Sequence, residues 1–119
     1  MRHPLAVAAV AVCALIAAPN AQAAIDTISD GASGTIDCTD QTGPNAGERH
    51  CSGIFTTFDG APIDVNVGFP AAPMAGPDGD FPVIGVYHGW GGSKLGLGST
   101  GMQEWLDEGY AVFSMSDRG

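Results

Sequence analysis

The chain has 119 residues, 45% of them hydrophobic, and carries 13 acidic against 4 basic residues for a formal net charge of -9. Such a surface repels nucleic-acid phosphates and anionic lipid, and Arg49, Lys94 and Arg118 are too scattered to form a basic patch, which excludes nucleic-acid binding. The length and apolar content admit one small packed domain.

Residues 1–23 read as a cleaved signal peptide. Arg2 supplies the basic start, Leu5 to Ala18 is an unbroken apolar run, and Ala21-Gln22-Ala23 puts small residues where a signal peptidase cuts. The run is shorter than the about 20 apolar residues of a membrane-spanning helix and is followed by Pro19, so export and release without a stable membrane anchor is expected. Cys13 leaves with the leader. The remaining pair, Cys38 and Cys51, then meets an oxidising compartment and is expected to form a disulfide. His50 alone beside them makes a poor zinc set.

Residues 24–53 are rich in Gly, Asp, Thr and Ser and read as a disulfide-bonded extension of loop and marginal strand. Asp26, Asp30, Asp37 and Asp40 do not fall on the spacing of a calcium loop, and a solvated acidic surface is the expectation there. His50 is expected at the surface.

Residues 54–119 carry the sharper pattern. Ile54 to Phe58 is β-branched and aromatic, Asp59-Gly60 signals a hairpin, and Ile63, Val65, Val67 and Phe69 alternate with Asp64, Asn66 and Gly68. That alternation predicts an antiparallel hairpin with one buried and one wet face. Asp78-Gly79-Asp80 reads as a turn within a Pro- and Gly-rich segment. Phe81 to Tyr87 is apolar almost throughout, as for a strand covered on both faces, and Tyr110 to Met115 has the same character. Between them Thr100 is a candidate helix cap with Gln103 three residues on, Met102, Trp105 and Leu106 share a face, and Gly109 sits where helices stop. The predicted class is α/β: an antiparallel hairpin, then one parallel strand-helix-strand unit, an incomplete sheet. With so few parallel strands, Val83, Ile84, Val112 and Phe113 are expected to lack cover.

The segment that carries chemistry is His88-Gly89-Trp90-Gly91-Gly92-Ser93-Lys94, directly after the first apolar strand. Its glycines let the backbone turn sharply and present N–H groups at the edge where open α/β sheets place their function. An oxyanion hole uses such donors, each worth roughly 3 kcal/mol to a tetrahedral intermediate. A phosphate cradle is disfavoured, because neither G-x-x-x-x-G-K-[ST] nor G-x-G-x-x-G is present.

The D-G hairpin, the strand ending in H-G-x-G, and Glu108-Gly109-Tyr110-Ala111-Val112 followed by Asp117-Arg118-Gly119 resemble the start of α/β-hydrolases of the X-prolyl dipeptidyl-peptidase and cocaine-esterase type. The resemblance covers about Ile54 to Gly119. It implies that Trp90 donates an oxyanion N–H and that His88, Gly89, Gly91 and Gly92 build the oxyanion loop, with His88 bracing the turn. Ser116 stands where family members commonly carry Asp, and Trp90 stands roughly where the cocaine-esterase branch has a tyrosine.

No serine has the small-residue surroundings of a nucleophile elbow, Ser114 and Ser116 included, so nucleophile, acid and base are expected beyond Gly119. The sequence thus predicts the N-terminal part of an exported serine hydrolase acting on a small-molecule ester or an X-prolyl peptide, itself inactive. That chemistry uses no cofactor and no metal. The alternative is a small secreted disulfide-bonded binding or surface module in which the loop is only a turn.

Overall fold

The computed structural model describes residues 25–31, 34–71 and 80–116. The leader expected over 1–23, the Asp78-Gly79 turn, Asp117 and Arg118 lie outside the described residues. Among the described residues six strands and one α-helix follow in order, with a 3-10 turn at Gly43–Asn45: β1 (Thr27–Ser29), β2 (Thr35–Asp40), β3 (Arg49–Thr56), β4 (Pro62–Phe69), β5 (Val83–Gly85), α1 (Thr100–Asp107) and β6 (Ala111–Met115). The strands form one six-stranded sheet in the order β1-β2-β3-β4-β6-β5. β1 to β4 make an antiparallel meander, β6 joins β4 antiparallel, and β5 pairs with β6 in parallel. A mixed sheet with one crossover helix is the α/β-like arrangement that the patterns predicted.

The acidic stretch before residue 54 is more ordered than its composition implied. In β2 Ile36 points to the core while Thr35, Asp37, Thr39 and Asp40 stay exposed, an alternation masked in the sequence by its many polar positions. Arg49 collects two of the aspartates, at 2.8 Å from Asp26 and 3.0 Å from Asp40, and donates to the Ile25 carbonyl. β3 begins at Arg49 rather than Ile54, so the expected division between residues 53 and 54 falls inside one strand. Cys38 and Cys51 are cross-strand partners in the β2–β3 register, with Cα atoms 4.1 Å apart, and form the expected disulfide.

The β3–β4 hairpin closes as predicted at Asp59-Gly60. Gly60 N–H donates to the Thr57 carbonyl and Thr57 N–H to the Ala61 carbonyl, while Asp59 Oδ1 accepts from the Thr57 hydroxyl. Beyond the turn, the alternation in β4 departs from expectation. Asn66 and Gly68, read as wet, are buried along with Val65 and Val67, because both faces of the sheet are covered here. One face packs Ile36, Cys51, Val65 and Val67 together; the other receives α1 through Met102 and Leu106 against Val112. Gly68 makes that second contact close: a Cβ there would stand 3.0 Å from Met102 Sδ and 3.1 Å from a Leu106 methyl.

Helix α1 starts one residue earlier than its predicted cap. Ser99, not Thr100, occupies the N-cap in extended conformation, and Thr100 is already helical. The helix ends at Gly109 as expected. Tyr110 N–H reaches the Trp105 carbonyl and Gly109 N–H the Leu106 carbonyl, the paired bonds of a Schellman motif, and Tyr110 packs edge-on against Trp105. β6 is well covered, with Val112 and Ser114 fully buried; contrary to expectation Val112 does not lack cover, because Met102 and Leu106 of α1 pack against it. β5 is not: it is an edge strand paired only with β6, and Val83 is 70% exposed, as expected of a strand short of the cover that its apolar pattern calls for. No described helix is long and apolar enough to cross a membrane.

Candidate functional site

The glycine-rich loop leaves the carboxyl end of β5 and runs to α1. Its entrance is fixed by Val86 N–H donating to the Phe113 carbonyl on β6. Gly89 to Gly92 then form a turn, closed by Gly92 N–H to the Gly89 carbonyl at 3.0 Å, with Gly91 at φ 74°, a conformation that side chains disfavour. At Gly92 a Cβ would come within 2.8 Å of His88 Cβ, so this position has no room for a side chain. His88 Nδ1 donates to the Gly89 carbonyl at 2.8 Å, which places the imidazole as a brace across the turn it precedes.

Trp90 sits at the second position of this turn with its side chain wholly exposed. Its N–H makes no hydrogen bond among the described residues, because the turn is closed by the next amide but one. All five residues named from the sequence, His88, Gly89, Trp90, Gly91 and Gly92, therefore lie in one compact turn at the sheet edge. The turn thus leaves the backbone amide of Trp90 without a hydrogen bond among the described residues.

The loop's exit is held by residues that sequence reasoning passed over. Asn66 Nδ2 donates to the Leu95 carbonyl at 2.7 Å, Leu95 N–H donates to Ser114 Oγ at 2.9 Å, and Lys94 N–H donates to Ser116 Oγ at 3.2 Å. Lys94 Nζ donates to Asp64 Oδ1, to the Val65 carbonyl at 3.2 Å and to Ser52 Oγ at 3.3 Å. Ser114 and Ser116, set aside as nucleophiles, thus act as acceptors for the loop backbone. The available signal was the polar residue at every second position of two otherwise apolar strands, Asp64 and Asn66 in β4, Ser114 and Ser116 at the end of β6.

A second polar group lies at the start of β3. His50 is buried, 4% exposed, and not at the surface as predicted; it stands opposite Gly68 in the β3–β4 register, on the face where α1 packs. Its Nε2 lies 3.0 Å from Glu48 Oε2, and Gln103 Nε2 on α1 donates to the other oxygen of that carboxylate. This group ties the start of β3 to α1, with Glu48 and His50 both buried. Among the described residues no cluster of three or more His, Cys, Asp or Glu side chains is placed to hold a metal ion.

In comparisons with protein-family models, with curated proteins and with solved structures, none matches this chain.

Proposed function

We propose that residues 54–119 form the N-terminal part of an exported serine hydrolase that cleaves an acyl bond, an ester or an X-prolyl peptide, with this segment supplying the oxyanion loop. The observation that carries the reading is the tight His88 to Gly92 turn at the carboxyl end of a parallel strand, ahead of a helix, with the Trp90 N–H making no hydrogen bond among the described residues. That is the position of the strand-to-helix loop from which α/β-hydrolases take one oxyanion donor. In this reading the substrate carbonyl oxygen, as it becomes an oxyanion, accepts from Trp90 N–H. His88 holds the turn and does not accept the nucleophile's proton. The second donor, the serine and its acid and base lie outside this segment in that reading, since no serine of the sequence has the small-residue surroundings of an elbow.

The test is to read the coding sequence beyond Gly119 and to treat the secreted product with a fluorophosphonate probe. An in-frame G-x-S-x-G whose serine takes the label supports the proposal. A stop codon at this point, with a folded product that the probe leaves untouched, overturns it. That outcome favours the second reading, a secreted binding module, for which the disulfide-tied meander of β1 to β4 is the relevant observation.

A further inference from the structure

The loop that carries Trp90 is secured at both limbs to the same strand. Val86 N–H is held by the Phe113 carbonyl, Leu95 N–H by the Ser114 hydroxyl and Lys94 N–H by the Ser116 hydroxyl, so adjoining positions at the end of β6 fix where the loop leaves and where it returns. Lys94 adds a cross-tie to the neighbouring strands. Its ammonium has three donors and three acceptors from β3 and β4: the Ser52 hydroxyl, the Asp64 carboxylate and the Val65 carbonyl. Asn66, directly opposite Ser114 in the β4–β6 register, donates to Leu95 from between them.

One detail marks this arrangement as more than packing. Asn66 is only 4% exposed, and its Oδ1 is buried without a hydrogen-bond partner. A valine at that place would fit the apolar strand and leave no orphaned acceptor; the asparagine makes sense through the bond that its amide gives to the loop. Departures of this kind from the rule of satisfied burial gather where geometry serves function.

Resting on the hydrolase reading above, we infer that Lys94 and Asn66 are positioning residues that set the placement of the Trp90 amide toward the developing oxyanion. Both act through the loop backbone and neither touches substrate.

The test uses the full-length secreted product carrying Lys94→Met, Lys94→Arg, Asn66→Ala or the milder Ser116→Ala, assayed on an activated ester, together with amide hydrogen exchange at Gly89 to Gly92. Lys94→Met and Asn66→Ala are expected to lower kcat by about 10- to 100-fold with KM nearly unchanged, the scale of misplacing a transition-state donor. Lys94→Arg is expected to restore most of the rate. Exchange in the Gly89 to Gly92 turn is expected to quicken in Lys94→Met and Ser116→Ala while the β3–β4 amides keep their protection. Unchanged kcat in folded, active variants overturns the inference, and so does unchanged exchange in the turn. A wild-type product that hydrolyses nothing overturns the hydrolase reading instead, and the exchange measurement still decides whether these side chains set the loop.

Discussion

Glu48 Oε2 and His50 Nε2 stand 3.0 Å apart with both side chains shielded from solvent, and the same carboxylate accepts from Gln103 on α1. One acidic side chain thereby joins the first residues of β3 to the helix that follows the glycine-rich loop. Replacing His50 with alanine strips a buried carboxylate of one of its two partners. The His50→Ala chain is expected to be less stable by about 1–3 kcal/mol, read as a lower urea midpoint. An unchanged midpoint would show that the pair contributes nothing net.

The disulfide makes a separate prediction about which part of the sheet loosens first. Cys38 and Cys51 close a loop with a sequence separation of 13, worth about 3 kcal/mol in the chain-entropy account. Reduction with a dithiol is expected to raise amide exchange chiefly in β1 and β2, which lie at the sheet edge outside β3. Protection in β6 should persist, since Val112 packs with Met102 and Leu106 of α1 in a cluster separate from the one that holds Cys51. Equal loss across all strands would contradict this order.

Gly68 is the point of closest approach between β4 and the helix. Gly68→Ala brings a methyl to 3.0 Å from Met102 Sδ, so either the helix shifts or the side chains leave their rotamers. The expected cost is about 1–3 kcal/mol, the range found for overpacked cores. Met102→Ala in the same chain should recover part of that loss, and a double-mutant cycle on thermal or urea midpoints measures the recovery.

β5 presents a different liability. Val83 and Tyr87 are exposed on or beside an edge strand whose segment from Phe81 to Tyr87 carries no charge. Open apolar edges template pairing with other chains. The 119-residue chain is expected to scatter light increasingly with concentration, and Val83→Lys is expected to reduce that scattering without disturbing the pairing of Ile84 with Val112. Equal scattering from both chains would place the association elsewhere.

The sequence by itself determined the local structure wherever one periodicity dominated. The Asp59-Gly60 hairpin, the β6 run, the buried stripe of Met102 and Leu106 and the Gly109 stop all follow from spacing and from backbone preferences that act over a few residues. The cysteine pair followed from its count once the leader was set apart. The glycine-rich turn was equally legible, because three glycines in four positions after an apolar strand constrain the backbone on their own. Only the tertiary structure decided what the polar residues do. His50 is buried on the face of the sheet where α1 packs, and Asn66 is buried where the loop returns across β4. Burial of a polar side chain depends on a partner supplied from far along the chain, as Gln103 is for Glu48 and Leu95 for Asn66, and no local pattern specifies that partner.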